Sequence, residues 1–311
     1  MAELVTLFGG GGFIGRYVAQ ALMRQGVRVR IVGRDPRRAW FVKPLGALGQ
    51  TQFLAADVTK PHTVSRAIRG ADAVVNLVGV LNGNFQAVHV EGARNVAEAA
   101  KAEGAGALVH LSAVTASPNA PSAYGRSKAE GEEAVRAAYP NATIIRPAAV
   151  FGPEDDFVNR LAAMMQYSPV MPIAAPGTRF QPVFVADVAQ AIAAAALDPG
   201  RYGGRTFELA GPEVLTMTEL VHCVARMTGR NPAFLELPDS LAGLVARLGF
   251  LPGAPLTMRQ WEMLRQDSVA SPGAEGLAAF GLHATPLETA APRWLVRYRR
   301  HGRFGAERKA L

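Results

Sequence analysis

A run of four glycines that directly follows a short apolar segment constrains the fold of this chain more than any other feature. Residues 4–8 (LVTLF) predict a buried strand and residues 13–25 predict an amphipathic helix, with the turn at residues 9–12 (GGGG) between them. A helix that begins at such a turn presents free N–H groups and a positive dipole, which suit a pyrophosphate. The sequence therefore predicts a dinucleotide-binding unit at its start.

Each glycine of this turn has a separate physical task. Gly9 permits the tight turn out of the strand, Gly12 lets the backbone approach a pyrophosphate, and Gly15 lets the helix pack closely on the sheet. A glycine-rich loop without a ligand is the alternative. The residues of this segment that we predict to contact the nucleotide are Gly9, Gly10, Gly12, Phe13, Ile14 and Gly15.

The residues after the second predicted strand, at 27–32, indicate which dinucleotide binds. An Asp or Glu there would accept hydrogen bonds from a ribose 2′-hydroxyl and favour NAD. This chain has Arg34 instead, whose planar fork of donors can grip a 2′-phosphate, with Arg37 or Arg38 as a second contact. We predict NADP(H), held by Arg34 and Arg38, while Asp35 leaves NAD as the alternative.

Apolar runs alternate with helical stretches through the first 150 residues, which favours βαβ units and a parallel sheet. We expect an α/β, Rossmann-type doubly wound domain over residues 1–150. Its further predicted strands lie at 51–55, 73–77, 107–111 and 143–146, and its further helices at 63–69, 85–102 and 124–138.

Prolines interrupt the chain after residue 147 and predict a smaller, mainly helical lobe over residues 151–311 that serves substrate binding or interaction. Within it, segments near 180–210 complete the sheet, with a helix at 187–197 and a strand at 206–209. Thr216 and Glu219 have the spacing of a capping box at the start of a helix.

Several residues of this lobe form an apolar group that suits either an apolar ligand or simple packing, and packing is favoured. They are Met164, Met165, Val170, Met171, Pro172, Ile173 and Phe180.

Tyr124 and Lys128 are four residues apart, which places them on the same face of a helix. An ammonium beside the phenol would lower the pKa of the tyrosine and let it act as a general acid or base. Ser112, just past the strand at 107–111, is placed to polarise a carbonyl. The predicted catalytic set is therefore Ser112, Tyr124 and Lys128.

The order of these motifs, from about residue 4 to residue 230, resembles the extended, atypical short-chain dehydrogenases/reductases of the NAD-dependent epimerase/dehydratase type. The resemblance implies adenine-side contacts after the third strand, further contacts after the fourth, and a nicotinamide end held by the tyrosine and lysine. The contacts that it implies are Asp57, Val58, Leu77, Val78, Gly79, Tyr124, Lys128 and Pro147.

Longer segments resemble, more narrowly, the NADPH-binding accessory subunits of respiratory complex I and their alphaproteobacterial relatives. They are residues 8–18 (FGGGGFIGRYV), 135–147 (VRAAYPNATIIRP), 150–159 (VFGPEDDFVN), 260–270 (QWEMLRQDSVA), and 286–288 (PLE) followed by 294–299 (WLVRYR). In that family the nucleotide is regarded as structural, and the protein docks on the peripheral arm near the membrane. The resemblance implies an accessory or assembly subunit with peripheral-arm subunits as partners.

Two other functions stay open. The intact Ser112, Tyr124 and Lys128 favour a free-standing NADP-dependent reductase or epimerase that acts on an apolar carbonyl or a nucleotide-sugar-like substrate. An NADP-sensing regulator is the third, but proteins of that class usually lack the tyrosine. Whether the nucleotide turns over is therefore undecided by the sequence.

The net charge of +8 is concentrated in a basic C-terminal tail, residues 293–311. Apolar and aromatic side chains, among them Trp294, Tyr298 and Phe304, lie between its charges. This pattern suits an acidic partner or an anionic membrane surface, and a solvated tail is the alternative. Nucleic acid is not expected, because no nucleic-acid-binding module accompanies the charge.

Compartment and metal content follow from absent patterns. We expect a cytoplasmic protein, peripheral on the cytoplasmic face of the inner membrane if the resemblance holds, because neither a signal-peptide pattern nor a membrane-spanning apolar run is present. Cys223 is the only cysteine, so no intrachain disulfide forms. His89, His110 and His222 lack the spacing of metal ligands, and no metal site is predicted.

Overall fold

A parallel sheet of seven strands organises the first structural unit, in a computed structural model that describes residues 3–247, 257–300 and 302. The order across the sheet is β11-β6-β5-β4-β1-β2-β3. The strands are β1 (Leu4–Phe8), β2 (Arg28–Gly33), β3 (Thr51–Ala55), β4 (Ala73–Asn76), β5 (Ala107–Leu111), β6 (Thr143–Pro147) and β11 (Thr206–Leu209). This is the doubly wound, Rossmann-type order, so the predicted fold class is confirmed.

The strand order reverses its direction of growth at β1, since β2 and β3 lie on one side of it and β4, β5 and β6 on the other. In open α/β sheets, ligands bind in the crevice outside the carboxyl ends of the strands at this switch point. The topology therefore directs attention to the residues that follow β1, β2 and β4.

The helices of this unit form two groups. α1 packs against α6, whereas α2 packs against α3 and α3 against α4. Two further segments are irregular: a 3₁₀ segment, Pro36–Leu45, follows β2, and a π-helical turn, Gln86–Glu91, leads into α3. The helices are α1 (Phe13–Arg24), α2 (Pro61–Ile68), α3 (Gly92–Ala102), α4 (Ala123–Ala138), α6 (Val185–Leu197) and α7 (Pro199–Tyr202).

Small side chains bring these helices close to the sheet. On α3, Ala93, Ala97 and Ala100 are buried around Val96 in one apolar cluster with strand residues such as Val74. β4 and β5 are buried at every position, as expected of strands covered on both faces. Each fully buried valine or isoleucine contributes about 1.5 to 3 kcal/mol relative to an exposed one, so this layer stabilises the unit.

The chain enters and leaves the first unit more than once. That unit comprises Met1–Pro147, Val185–Leu209 and Ser271–His283, and the second comprises Ala148–Phe184, Ala210–Ala270 and Ala284–Leu311. The sequence expectation divided the chain once, near residue 150. The later segments belong to the first unit because β11 pairs with β6 and Ser271 donates its backbone N–H to Glu208 at 2.7 Å.

The second unit is mainly helical and has three two-stranded sheets among the described residues, pairing β7 with β10, β9 with β12 and β8 with β13. Its strands are β7 (Val150–Phe151), β8 (Val170–Ala174), β9 (Arg179–Phe180), β10 (Val183–Phe184), β12 (Leu215–Thr216) and β13 (Ala233–Leu237). Its helices are α5 (Val158–Tyr167), α8 (Met217–Thr228), α9 (Asp239–Arg247), α10 (Met258–Leu264), α11 (Leu287–Ala290) and α12 (Pro292–Leu295).

The predicted capping box at the start of α8 is confirmed. The Thr216 hydroxyl accepts the backbone N–H of Glu219 at 3.2 Å, and the Glu219 carboxylate accepts the backbone N–H of Thr216 at 2.7 Å. The helix ends at Gly229, which adopts φ of 63°, a left-handed conformation that favours glycine.

Most of the apolar group singled out in this unit serves packing. Met165, Met171, Ile173 and Phe180 are buried in one cluster with residues of α8 and α12. Val170 differs, since it is 41% exposed. Packing, the favoured interpretation of the sequence, therefore accounts for the buried members without any ligand.

Part of the basic C-terminal segment is folded into this core. Leu295 is fully buried, and the ring of Trp294 stacks on that of Phe184 with centroids 6.1 Å apart. Arg297 donates to the side-chain oxygen of Asn159 at 2.8 Å. The remainder of the predicted tail, residues 301 and 303–311, lies outside the described residues.

Asp155 fixes the backbone at the start of α5, next to Asn159. Its carboxylate accepts backbone N–H groups around the start of α5, from Gly152 (3.0 Å), Phe157 (2.8 Å), Val158 (2.6 Å) and Asn159 (3.3 Å). Segments 150–159 and 294–299, which the sequence singled out separately, are thus joined through Asn159. Within the described ranges, no helix is long and apolar enough to cross a bilayer.

We expect Asp155→Ala to lower the free energy of unfolding by about 2 to 3 kcal/mol, because buried N–H groups would lose their acceptor. The neighbouring Asp156 is exposed, so Asp156→Ala is a matched control that should change it by less than about 0.5 kcal/mol. Urea titrations followed by tryptophan fluorescence measure both. Equal midpoints for the two variants would contradict the structural role of Asp155.

Candidate functional site

The glycine turn that follows β1 is built by close backbone approach. Gly9 has φ of 79°, in the region that favours glycine. A Cβ on Gly15 would collide with the carbonyl oxygen of Gly9. The sequence predicted that Gly15 lets the helix pack on the sheet. The structure shows that Gly15 lets α1 pack against the glycine turn itself.

The same turn packs against the 3₁₀ segment, a contact that the sequence did not indicate. A Cβ on Gly11 would lie 2.6 Å from the Cβ of Ala39, and one on Gly10 would lie 3.0 Å from the Cβ of Leu7. Gly11 was absent from the predicted contacts, because its constraint comes from a residue 28 positions later. Spacing alone carries no signal for such a contact.

The N-terminus of α1 has the features of an anion site. Gly12 is its N-cap and supplies no side-chain acceptor, and the first turn contains no acidic residue. The N–H groups at Phe13 and Ile14 therefore face the turn without a competing carboxylate from their own helix. A phosphate there would be stabilised by these donors and by the helix dipole.

A cavity of about 540 Å³ opens beside this turn and is lined by the turn, the end of β2 and residues 34–36, 38 and 39. Four of the predicted nucleotide contacts, Gly9, Gly12, Arg34 and Arg38, line it. The other predicted contacts lie outside its lining. The size is within the range of small-molecule sites.

Charges at the mouth of this cavity favour a phosphate. The Asp35 carboxylate accepts the backbone N–H of Arg37 at 3.2 Å and lies 3.4 Å from the Arg37 Nε and 3.7 Å from the Arg38 Nε. Arg34 makes no hydrogen bond or ion pair with any residue that the structure describes. Asp35 is thus engaged as a cap, while the Arg34 guanidinium is available to a ligand.

Asp57 and Val58, predicted on the adenine side, are tied into local structure. Hydrogen bonds from the Thr59 backbone, at 3.0 Å, and hydroxyl, at 2.9 Å, lower the pKa of Asp57, and the charge of Arg34 adds to the effect. Val58 is buried, and its carbonyl accepts the Asn95 amide at 2.8 Å. Their place beyond β3 is consistent with a nucleotide lying across the carboxyl edge of the sheet.

Lys128 lies at the carboxyl ends of β4 and β5. Its Nζ donates to the carbonyl oxygen of Leu111 at 2.9 Å, and a Cβ on Gly79 would lie 3.5 Å from it. Burial lowers the pKa of Lys128 to about 8, partly offset by the charge of Glu132. The ammonium is therefore held over the loop that follows β4, where Leu77, Val78 and Gly79 were predicted to contact the nucleotide.

Tyr124 departs from the chemistry expected of a tyrosine–lysine pair. Burial raises the pKa of Tyr124 to about 12. The expectation that Lys128 would lower this pKa is wrong for this structure, because desolvation dominates and the ammonium hydrogen-bonds to Leu111 instead. Tyr124 is held as a neutral phenol.

Ser112 carries a buried hydroxyl that the fold does not use. The side chain is 3% exposed, and its Oγ has no hydrogen-bond partner among the described residues. Its backbone N–H donates to the Ile145 carbonyl at 2.7 Å, which fixes its place just beyond β5. A buried hydroxyl without a partner costs about 1 to 3 kcal/mol, which makes Ser112 a candidate for a ligand contact.

Two buried histidines lie close to this set. His89 accepts the Val80 N–H through Nε2 at 2.9 Å, and its Nδ1 lies 2.9 Å from the Ser127 hydroxyl. Burial, reinforced by the charge of Lys128, lowers the pKa of His89 to about 3. His110 Nδ1 lies 3.3 Å from the Asn76 amide nitrogen.

The described histidines belong to no group that could hold a metal ion. His222 belongs to the second unit, where it packs on Phe234 with ring centroids 4.1 Å apart. Within residues 3–247, 257–300 and 302, no group of three His, Cys, Asp or Glu side chains could hold a metal ion.

A buried ion network anchors α4, the helix that carries Tyr124 and Lys128. Arg146 on β6 donates to both carboxylate oxygens of Glu132 at 2.8 Å and to Glu208 on β11 at 3.2 Å. The sequence predicted no contact for Arg146. The structure shows that its guanidinium joins α4 to two strands.

Several known proteins are similar to this chain in sequence or in fold. The protein "NADH dehydrogenase [ubiquinone] 1 alpha subcomplex subunit 9, mitochondrial" of Mus musculus is 34% identical over 313 residues, covering 98% of this chain and 82% of that protein. A ceramide reductase of Caulobacter vibrioides is 32% identical over 294 residues, covering 90% of each chain.

A solved Escherichia coli NADPH-dependent quinone oxidoreductase, in complex with NADPH, superposes with a TM-score of 0.76. It is 21% identical, and the match covers 94% of this chain and 99% of that one, which shows the shared fold. The NAD dependent epimerase/dehydratase family matches residues 5–210. The glycine turn, the parallel sheet and this match together establish that the chain belongs to the NAD dependent epimerase/dehydratase family.

Proposed function

We propose that this chain is an NADP(H)-binding accessory or assembly subunit of respiratory complex I, with the nucleotide held as a structural element. The observation that carries the proposal is similarity over 98% of the chain to a mitochondrial complex I subunit. Because this similarity spans both units, it includes more than the nucleotide-binding fold that a large superfamily shares.

The preference for NADP(H) over NAD(H) rests on the mouth of the cavity beside β2. Arg34, Asp35 and Arg38 line it, and the Asp35 carboxylate, which would favour a ribose 2′-hydroxyl, also caps the 3₁₀ segment. The residues that would hold the nucleotide are the glycine turn for the pyrophosphate, Arg34 and Arg38 for the 2′-phosphate, and Tyr124 and Lys128 for the nicotinamide end. When bound, a reduced nicotinamide supplies a hydride.

The partners would be peripheral-arm subunits, with the protein peripheral on the cytoplasmic face of the inner membrane. The folding of Trp294 and Leu295 into the core of the second unit supports a protein partner over lipid insertion through those side chains. The charge excess of residues 293–311 would serve an acidic surface or anionic headgroups.

A second candidate is an NADP-dependent reductase of an apolar carbonyl compound. The unpartnered, buried Ser112 hydroxyl favours it, because such a donor is suited to a ligand oxygen. The neutral Tyr124 phenol can donate a proton to that oxygen, and Lys128 would orient the nucleotide. The similarity to a Caulobacter protein named ceramide reductase supports a lipid-like substrate class.

Arg34→Asp tests the choice of nucleotide. We expect it to weaken NADPH about 10- to 100-fold more than NADH, since a charge-assisted contact to phosphate is lost and a repulsive charge is added. Isothermal titration calorimetry with both nucleotides measures the ratio. Arg37→Asp is the matched control, because Arg37 faces Asp35 and does not line the cavity. Equal losses for the two nucleotides would sink the assignment.

Lys128→Met tests whether the buried ammonium is retained for ligand binding. We expect the free protein to gain about 1 to 2 kcal/mol of stability near pH 7, because an apolar side chain removes a buried charge, while NADPH binding weakens. The pKa of Lys128 is about 8 in the folded protein and near 10.5 in the unfolded chain. As the pH rises from about 8 to 10.5, the free energy of unfolding of the wild type therefore increases relative to that of the variant.

Thermal and urea unfolding with and without NADPH, at several pH values, measure this effect. A Lys128→Met variant that is less stable at pH 7 and still binds NADPH normally would show that the lysine is a structural residue.

Affinity purification of the tagged protein from its native membranes tests the assembly proposal. We expect it to recover complex I peripheral-arm subunits. Free, monodisperse protein that rapidly oxidises NADPH with a long-chain ketone, and loses this activity in Tyr124→Phe, would instead establish the reductase.

A further inference from the structure

A chain of hydrogen bonds runs from the loop after β4 to the start of α4. The Val80 N–H donates to His89 Nε2 at 2.9 Å, His89 Nδ1 lies 2.9 Å from Ser127 Oγ, and Ser127 Oγ donates to the Tyr124 carbonyl at 2.8 Å. Because Nε2 accepts and the ring is neutral, Nδ1 carries the proton and donates to Ser127. Every bond in the chain therefore has a single direction.

The members of this chain are buried and their orientations are fixed by packing. His89 is 2% exposed and Ser127 is 6% exposed. The His89 ring stacks on Phe85 with centroids 5.2 Å apart and meets the ring of Tyr124 edge-on at 5.6 Å. The imidazole is therefore held from one face by Phe85 and contacts the tyrosine both directly and through Ser127.

The local backbone is specialised to bring His89 to this place. His89 lies on the π-helical turn Gln86–Glu91, and such turns are rare and frequently occur at functional sites. A Cβ on Gly131 of α4 would collide with the His89 carbonyl oxygen. The turn and α4 thus approach more closely than any residue other than glycine at position 131 would permit.

The same loop connects His89 to Lys128. A Cβ on Gly79 would lie 3.5 Å from Lys128 Nζ and 3.7 Å from His89 Nε2, so both side chains converge on one point of the backbone. The His89 imidazole therefore hydrogen-bonds to the loop, contacts the ring of Tyr124 and lies near Lys128 at Gly79.

We propose that His89 is a positioning residue that, as the neutral Nδ1-protonated tautomer, fixes the loop after β4 against Tyr124 and Lys128 for the nicotinamide end of the nucleotide. This inference rests on the proposed nucleotide site and names a residue that sets its geometry. His89 itself contacts no reacting group in this scheme. It acts through Val80 on one side and Ser127 on the other.

Two substitutions of His89 remove its two hydrogen bonds, to Val80 and to Ser127, one at a time. His89→Gln retains an acceptor near the position of Nε2 and loses the donor to Ser127, whereas His89→Asn retains a donor near Nδ1 and loses the acceptor for Val80. Ser127→Ala removes the hydrogen bond between His89 Nδ1 and Ser127 from the serine side. His222→Gln, in the second unit, is the matched control.

We expect each of the three site variants to weaken NADPH about 5- to 30-fold, with His222→Gln unchanged. The double variant His89→Gln and Ser127→Ala should lose no more NADPH affinity than the weaker-binding single variant, because both substitutions remove the same hydrogen bond. His89→Asn combined with Ser127→Ala should lose about the product of the two. If the losses of NADPH affinity in His89→Gln and Ser127→Ala add up in the double variant, the proposed role of His89 is overturned.

The tautomer is measured directly in the free protein. With ¹⁵N-histidine labelling, long-range ¹H–¹⁵N NMR spectra at pH 7 should show His89 with Nδ1 protonated and Nε2 bare. A protonated Nε2 would overturn the proposal without reference to any ligand.

The binding data distinguish this proposal from the one on which it rests. Wild-type protein that binds no NADPH would overturn the proposed nucleotide site. Wild-type protein that binds NADPH, together with variants that lose thermal stability but bind it equally well, would show that His89 serves the core alone.

Discussion

The contact on which the rest of the first unit depends is the approach of α1 to its own glycine turn. Gly15 packs against the carbonyl of Gly9 with no room for a Cβ, and Gly9 leaves β1 in a left-handed conformation. This contact aims the N-terminus of α1 at the crevice where the strand order reverses. The site for an anion is thereby created by backbone geometry, before any side chain contributes.

Around that crevice, the structure retains groups that lower its own stability. Lys128 is a buried ammonium with a depressed pKa, and Ser112 is a buried hydroxyl without a partner in the described part of the chain. Burial of such groups is unfavourable unless a ligand or a polar network compensates. The ion network of Arg146, Glu132 and Glu208 joins α4, the helix that carries Lys128, to β6 and β11.

Much of the fold could be predicted from local pattern. The strands at Leu4–Phe8 and Ala107–Leu111 have the predicted bounds and are buried along nearly their whole length, as expected of strands covered on both faces. The edge strand Thr51–Ala55 also has the predicted bounds, although none of its residues is fully buried. The helix expected at 85–102 instead begins with a π-helical turn. An α-helix and a π-turn of one register share nearly the same apolar pattern, so periodicity does not distinguish them.

The sequence by itself determined the glycine turn, the arginine after β2 and the spacing of Ser112, Tyr124 and Lys128, since each depends on residues close together in the chain. Only the tertiary structure decided that Gly11 must accommodate Ala39, that residues 271–283 return to the first unit, and that His89 lies between Val80 and Ser127. These contacts join segments whose separation along the chain bears no relation to their distance in space. Local propensity and periodicity describe neighbours in sequence, whereas packing determines which distant groups meet.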